Sequence, residues 1–128
     1  MHETVAVTIV FDPASGNPAV VEMTGELDLA NADIVRERLD EVGIVANRVI
    51  LDLVRLEFID STGLSAIVRL GKQLKERAGH LAIVVTKPSI RKLFAITALD
   101  KRFAIYERVE DVHFPPSFDE LRPSTSSG

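Results

Sequence analysis

Two stretches near the N-terminus carry the hydrophobic pattern of an antiparallel hairpin. Apolar residues occupy every second position over residues 5–11, which is the period of a half-buried strand. Residues 12–18 are rich in Asp, Pro, Ser, Gly and Asn, the residue types that form turns, and residues 19–24 are again mostly apolar and β-branched. This succession of strand, turn and strand predicts a β-hairpin.

Three later stretches have apolar residues at the spacing of an amphipathic helix. The first is predicted to end at Gly43, the second to run from Ser61 to just before Gly79, and the third to hold Pro88 in its first turn. The predicted inward-facing positions are Val35, Leu39 and Val42; Leu64, Ile67, Val68, Gly71 and Leu74; and Ile90, Leu93, Phe94 and Thr97.

Nearly continuous apolar runs separate these helices. Residues 49–54 and 81–85 are typical of strands covered on both faces, and residues 103–106 form the last predicted strand. Residues 55–60 are predicted to be a turn that leads into the second helix. The order β-β-α-β-α-β-α-β predicts a single α/β domain with a mostly parallel mixed sheet and helices on one or both of its faces.

Length and composition set the limits of the domain. A chain of 128 residues with 46% hydrophobic and 27% charged residues is of ordinary globular composition and long enough to close one core. The predicted domain spans residues 1–112. Residues 113–128 are rich in Pro and Ser and are predicted to form a mobile tail, in which Phe114, Phe118 and Leu121 are the residues that could dock back on the domain.

Charge and residue usage exclude several functions. The net charge of −4 argues against binding of nucleic acid, because that affinity comes from Lys and Arg that neutralise phosphates. The absence of cysteine excludes disulfides and thiolate metal sites. No N-terminal signal peptide is recognisable, and no apolar run approaches the ~20 residues that span a bilayer. We therefore expect a cytoplasmic protein without membrane contact.

The candidate chemistry lies where the second helix begins. Ser61 follows a buried strand, at the edge where open α/β sheets bind ligands. A hydroxyl at a helix start also caps a free backbone N–H, and Asp60 can take that role in its place. Gly63 suits a tight turn between strand and helix. Spacing alone does not separate a helix cap from a functional hydroxyl.

Two motifs together carry a resemblance to a known family. The run Asp60-Ser61-Thr62-Gly63-Leu64 follows an apolar strand, and Gly25-Glu26-Leu27-Asp28 follows the hairpin. This pair, in this order of elements from Val5 to Val112, resembles the STAS domain family, and within it the bacterial anti-sigma factor antagonists. The resemblance implies that Ser61 is phosphorylated by a partner anti-sigma factor, itself a serine kinase, with Thr62 a weaker acceptor. It implies that the unmodified domain binds that partner and frees a sigma factor, and that a serine phosphatase restores this state.

The resemblance also implies a recognition surface for the partner and kinase. Its residues are Asp28, Asp60, Thr62, Gly63, Leu64, Ser65 and Arg69. Asp28 is expected in the loop beside Ser61, where a turn or cap role remains an alternative. No cofactor and no metal is implied. The aromatic content of 5%, without tryptophan, indicates no obvious aromatic anchor for an interface.

Other functions remain to be weighed against this hypothesis. A STAS domain that serves as an adaptor in a stress-sensing assembly or transporter would bind partners without a phosphorylation switch. An enzyme has little support, because no Gly-rich phosphate loop is present and His2, His80 and His113 are scattered. Asp28, Asp52 and Asp60 are the carboxylates available for a hard cation, although Asp52 lies within a strand. The charged residues from Lys72 to Arg77 are typical of a solvated helix face.

Overall fold

The structure, a computed structural model, describes residues 5–115 of the chain. This part contains six strands, three α-helices and two short 3-10 helices. The strands are β1 (Val5–Val10), β2 (Ala19–Leu27), β3 (Arg48–Asp52), β4 (Leu56–Ile59), β5 (His80–Val84) and β6 (Ala104–Tyr106). The α-helices are α1 (Ala32–Val45), α2 (Ser61–Glu76) and α3 (Pro88–Ile96), and the 3-10 helices are Leu99–Lys101 and Val109–Asp111.

The sheet has the mixed, mostly parallel topology that the sequence predicts. β1 pairs antiparallel with β2 from Val5 opposite Gly25 to Val10 opposite Val20, which confirms the hairpin. The remaining pairs are parallel, and the strand order is β1-β2-β3-β5-β6, with β4 also paired to β2. The helical crossovers join β2 to β3, β4 to β5 and β5 to β6, and all three helices bury apolar residues in one continuous core.

The prediction of a turn over residues 55–60 is wrong, because residues Leu56–Ile59 form β4. β2 is nine residues long, and β3 pairs only with its first part, up to Glu22 opposite Asp52. From Gly25 onward β2 pairs with β4 instead, with a register shift between Gly25 and Glu26 and with Leu27 opposite Ile59. β4 therefore brings Asp60 directly alongside the loop that follows β2.

Two predicted helix details are also corrected. α1 does not end at Gly43 but continues to Val45, and Gly43 is buried where α1 approaches α2 so closely that a Cβ atom would lie 2.5 Å from Gln73 Oε1. Thr97 does not face inward. It follows α3 as an exposed residue whose hydroxyl donates to the carbonyl oxygen of Leu93 at 2.7 Å.

The main core lies between the helices and one face of the sheet. It buries Leu39, Ile67, Leu74 and Phe94 from the helices against strand residues such as Leu51 and Ile83. The alternate strand residues Ile50, Ala82 and Val84 point to the other face and are also buried. Val68 and Gly71, which were predicted to face inward, are only half-buried. Leu70, which lies between them on α2 and was not predicted to face inward, is fully buried.

The first residues of the predicted tail lie against the domain. The hydroxyl of Tyr106 donates to the carbonyl oxygen of His113 at 3.0 Å. The ring of Phe114 lies 6.4 Å from that of His80 and carries the guanidinium of Arg48 at 5.8 Å. The prediction that Phe114 docks back is thus confirmed, whereas Phe118 and Leu121 lie outside the described residues.

Replacement of Gly63 by alanine tests how tightly α2 is seated. A Cβ atom there would lie 2.6 Å from Leu27 Cγ and 2.8 Å from Ile59 Cγ1. We expect Gly63→Ala to lower the free energy of unfolding by about 1–3 kcal/mol, the usual cost of overpacking a core. Urea denaturation measures this. Ser65→Ala, an exposed change in the same helix, is the control and should change stability by no more than about 0.5 kcal/mol. Equal denaturation midpoints for the Gly63 variant and the parent chain would contradict the close packing.

Candidate functional site at the start of the second helix

Asp60 is the N-cap of α2 and the centre of the site. Its Oδ1 accepts hydrogen bonds from the backbone N–H of Gly63 at 3.0 Å and from the hydroxyl of Thr62 at 2.8 Å. Its Oδ2 accepts from the backbone N–H of Leu29 at 3.0 Å, and its own N–H donates to the carbonyl oxygen of Leu27 at 3.1 Å. One residue therefore caps the helix and holds the neighbouring loop.

Ser61 is the first residue of α2 and is exposed. It is not the helix cap, so of the two capping assignments that the sequence leaves open the structure supports Asp60. Among residues 5–115 the hydroxyl of Ser61 makes no hydrogen bond, while its carbonyl oxygen accepts one from the hydroxyl of Ser65 at 3.0 Å. The side chain is thus accessible at a helix N-terminus, where free N–H groups and the helix dipole favour an added negative charge.

Thr62 differs from its neighbour in both burial and bonding. Its side chain is half-buried, and its hydroxyl donates to Asp60 rather than facing solvent. A reaction at this oxygen would remove a hydrogen bond that supports the helix cap. The geometry therefore favours Ser61 over Thr62 as the accessible hydroxyl.

Asp28 begins the loop that Asp60 holds in place. Its Oδ1 accepts from the N–H of Ala30 at 3.0 Å, and its N–H donates to Asn31 Oδ1 at 3.0 Å. Asn31, which is buried, also donates to the carbonyl oxygen of Glu26 at 2.7 Å. The expected neighbourhood of the Asp28 loop and the helix start is present, and Asn31 is a supporting residue that the sequence pattern did not single out.

The hydrogen bonds at Asp60 keep its carboxylate ionised. Desolvation by burial raises the pKa of Asp60, but donation from Gly63, Thr62 and Leu29 outweighs it and holds the pKa below its ordinary value. At neutral pH a negative charge thus lies next to Ser61. The charged form is the one that caps the helix.

The remaining predicted recognition residues divide into buried and exposed ones. Gly63 and Leu64 are buried, so they position the helix start and do not present a surface. Ser65 is exposed one turn further along α2. Arg69 is exposed two turns along and forms a two-pronged ion pair with Asp40 of α1, with Nε 3.0 Å from Oδ1; hydrogen bonding and attraction to Asp40 raise its pKa.

Two apolar side chains at the site were missed by the sequence analysis. Leu29 in the Asp28 loop is 76% exposed, and Phe58 in β4 is 47% exposed. Leu29 donates its backbone N–H to Asp60, and Phe58 precedes Asp60 by two residues, so both belong to the segments that meet at the helix cap. Phe58 could have been found from the sequence if the strand Leu56–Ile59 had been recognised. Leu29 belongs to no periodic apolar pattern, so nothing in the sequence indicated it.

Comparison with known proteins agrees with this fold. Residues 12–112, most of the chain, match the family model of the STAS domain. The chain belongs to the STAS domain family. The family resemblance that the two motifs predict is therefore confirmed, and the α/β class with it.

Relatives of this STAS domain carry consistent names. An anti-sigma F factor antagonist of Paenibacillus polymyxa is 31% identical over 90 residues, covering 69% of this chain and 77% of that protein. A solved anti-sigma factor antagonist from Mycobacterium paratuberculosis shares the fold with a TM-score of 0.76 at 24% identity, covering 84% of this chain and 90% of that one. The Bacillus cell fate determinant SpoIIAA in its phosphorylated form gives 0.65 at 21% identity, with 82% and 95% covered.

Neither a metal site nor a membrane span is found in the described part of the STAS domain. Over residues 5–115, no group of three or more His, Asp or Glu side chains is arranged to hold a metal ion. Asp52, one of the three carboxylates considered for a cation, instead accepts from the N–H of Val54 at 3.1 Å. In the same range, no helix has the length and apolar character needed to cross a bilayer.

Replacing Asp60 with alanine should destabilise the STAS domain in a pH-dependent way. At neutral pH we expect the free energy of unfolding to fall by about 1–2 kcal/mol, because a helix cap is lost. The pKa of Asp60 is lower in the folded state than its ordinary value of 3.8, so its contribution is full above that pH and disappears as the pH falls through the folded value. The difference between variant and parent in urea denaturation should therefore shrink below about pH 4.

Thr62→Val is the matched control, since it removes one donor but keeps the cap. It should raise the pKa of Asp60 towards the ordinary value, as followed by NMR titration of the Asp60 carboxyl. An Asp60 pKa that stays the same in this variant, or a stability difference for Asp60→Ala that persists undiminished in acid, would contradict the assigned role.

Proposed function

We propose that this STAS domain is an anti-sigma factor antagonist controlled by phosphorylation of Ser61. Unmodified, it binds an anti-sigma factor that is also a serine kinase and so frees a sigma factor; phosphorylated, it releases that partner, and a serine phosphatase reverses the modification. It acts in the cytoplasm by binding and serves as the substrate of its partner. The observation that carries the proposal is the exposed hydroxyl of Ser61, which makes no hydrogen bond within residues 5–115, on a helix start that Asp60 caps.

Phosphorylation at Ser61 is compatible with the fold. A phosphate adds about −1.5 to −2 charges and three strong acceptors, and a helix N-terminus favours an anion. Since Asp60 supplies the cap, modification of Ser61 does not remove a hydrogen bond that the folded chain needs. The effect of the phosphate should therefore fall on the complex and leave the helix in place.

The flanking surface explains why a phosphate would break the complex. Leu29 and Phe58 are exposed apolar residues of the two segments that meet at Asp60, and Asp60 contributes a negative charge at neutral pH. A partner that covers Ser61 and Asp60 must desolvate both groups. Unfavourable charge placement in an interface costs several kcal/mol, and about 1.4 kcal/mol is already tenfold in affinity.

The recognition residues have different parts in this proposal. Asp28, which is half-buried in the loop held by Asp60, and the exposed Ser65 and Arg69 of α2 are proposed contacts for the anti-sigma factor or its kinase site. Asp60 and Thr62 hold the helix start, and the buried Gly63 and Leu64 seat it against the sheet. The names of the relatives support the partner class, since they are called anti-sigma factor antagonists.

Substitution of Ser61 tests the switch. Ser61→Asp should weaken binding to a cognate anti-sigma factor by about tenfold to hundredfold, whereas Ser61→Ala should bind as tightly as the parent chain and resist phosphorylation. Isothermal titration calorimetry measures the affinity, and mass spectrometry after incubation with the kinase and ATP locates the phosphate.

Thr62→Val serves as the control, because it should still be phosphorylated at Ser61. Circular dichroism should show an unchanged fold for Ser61→Asp. If the phosphorylated chain and the parent chain bind with equal affinity, the switch is disproved and the adaptor without a switch is the better description.

The apolar residues beside Ser61 supply a second test of the same interface. The double variant Leu29→Ser with Phe58→Ser should weaken binding to the anti-sigma factor by about tenfold or more, because apolar anchors near the centre of an interface carry most of its affinity. Surface plasmon resonance measures this. The control is Ile44→Ser with Ile96→Ser, which removes equally exposed apolar residues elsewhere. Equal losses for both double variants would show that the effect is not local to Ser61.

A further inference from the structure

A second surface lies at the opposite end of the strands from Ser61. Because β2, β3, β4 and β5 are parallel, Ser61 after the end of β4 and His80 at the start of β5 lie at opposite ends of the sheet. At the His80 end is an open groove with a volume of about 1030 Å³. The end of α2, the turn before β5, the residues around β6 and the segment His113–Pro115 form its walls.

The groove is basic in an otherwise acidic chain. The chain holds 19 Asp and Glu against 15 Lys and Arg, yet the groove is lined by four cations and by no carboxylate. These cations are Lys75, Arg77, Lys101 and Arg102. Among residues 5–115 none of them forms an ion pair with a carboxylate. A cleft lined by one sign of charge attracts ligands of the opposite sign.

Two of the four cations are held in place by the fold. Arg77 donates to the carbonyl oxygen of Gly43, and the guanidinium of Arg102 lies 5.8 Å from the centre of the Phe103 ring. Lys75 and Lys101 are exposed. The groove thus presents two guanidiniums held in place and two flexible ammonium groups. Because its charges are spread in this way, the groove does not select for a single compact anion.

The backbone of the groove argues against a phosphate site. A phosphate-binding loop offers free N–H groups, but here the N–H of Gly79 donates to Leu74 at 2.7 Å and that of His80 donates to Asn47 at 2.8 Å. The backbone that is open belongs to β6, the edge strand of the sheet, whose outer side pairs with no other described strand. Ala104 of β6 lines the groove and is exposed. An edge of this kind accepts an extended peptide.

We propose that this groove binds an acidic, extended segment of a partner protein, which adds to the edge of β6 and places its carboxylates among the four cations. A second copy of the chain is a poorer occupant, because a two-fold contact would bring cations against cations. The proposal does not rest on the phosphorylation of Ser61, and the two surfaces lie at opposite ends of the strands. The domain can therefore hold two partners at once.

Fluorescence anisotropy with the full chain tests the proposal. The probe is a short labelled peptide of alternating Glu and Val. The double variant Lys75→Glu with Lys101→Glu should weaken its binding about tenfold or more, while Lys72→Glu with Lys92→Glu, the same charge change at exposed positions outside the groove, should have a much smaller effect. Ser61→Asp should bind the peptide like the parent chain, so that this result is independent of the switch.

Several outcomes would overturn the proposal. Equal losses in the two double variants would reveal a response to net charge alone. If the peptide fails to bind the parent chain, the groove is not a site for an acidic segment. If ATP or a short single-stranded oligonucleotide displaces the peptide at lower concentrations than unlabelled peptide does, the groove is a site for another anion. Self-association that only the Lys75 and Lys101 variant abolishes, seen by sedimentation, would identify a second copy as the occupant.

Discussion

The carboxylate of Asp60 joins two parts of the molecule that are distant in sequence, the start of α2 and the loop after β2. It accepts from Thr62 and Gly63 in α2 and from Leu29 in the loop, while its own N–H donates to the carbonyl oxygen of Leu27. Protonation would weaken all three bonds to the side chain at once, because a neutral carboxyl is a poorer acceptor than a carboxylate. The position of the Asp28 loop relative to the helix start is therefore held by this side chain together with the pairing of β2 and β4.

This arrangement separates the group that maintains the helix from the group that is open to modification. When a serine both caps a helix and accepts a phosphate, modification would alter the cap. Here Asp60 caps and Ser61 remains on the outside of the first turn. A charge added to Ser61 therefore meets the fixed charge of Asp60 at the surface, where solvent screens it, and becomes costly only when a partner excludes that solvent. Under the proposed switch, the domain would change its affinity without changing its fold.

The order of elements and the helix start at Ser61 were predictable, because the apolar periods are long and the Asp-Ser-Thr-Gly run is a clear boundary signal. β4 was not predictable from the sequence. Its four residues, Leu56 to Ile59, form a strand only by pairing with the far end of β2, and the local sequence pattern carries no information about that pairing. Gly43 looked like a helix end, whereas its role is close contact with Gln73. The choice between Asp60 and Ser61 as cap depended on backbone placement, because both side chains are able to cap.

The helix that begins at Ser61 also reaches the groove near His80. α2 runs from Ser61 to Glu76, and Gly71 and Lys75 in its second half line the groove. The inner side of α2 is packed in the main core, where Ile67, Leu70 and Leu74 are fully buried. A close-packed interior transmits strain, and a rigid helix is an element that can carry coupling between sites. The two proposed surfaces therefore do not overlap, and any coupling between them within the domain would have to run along α2.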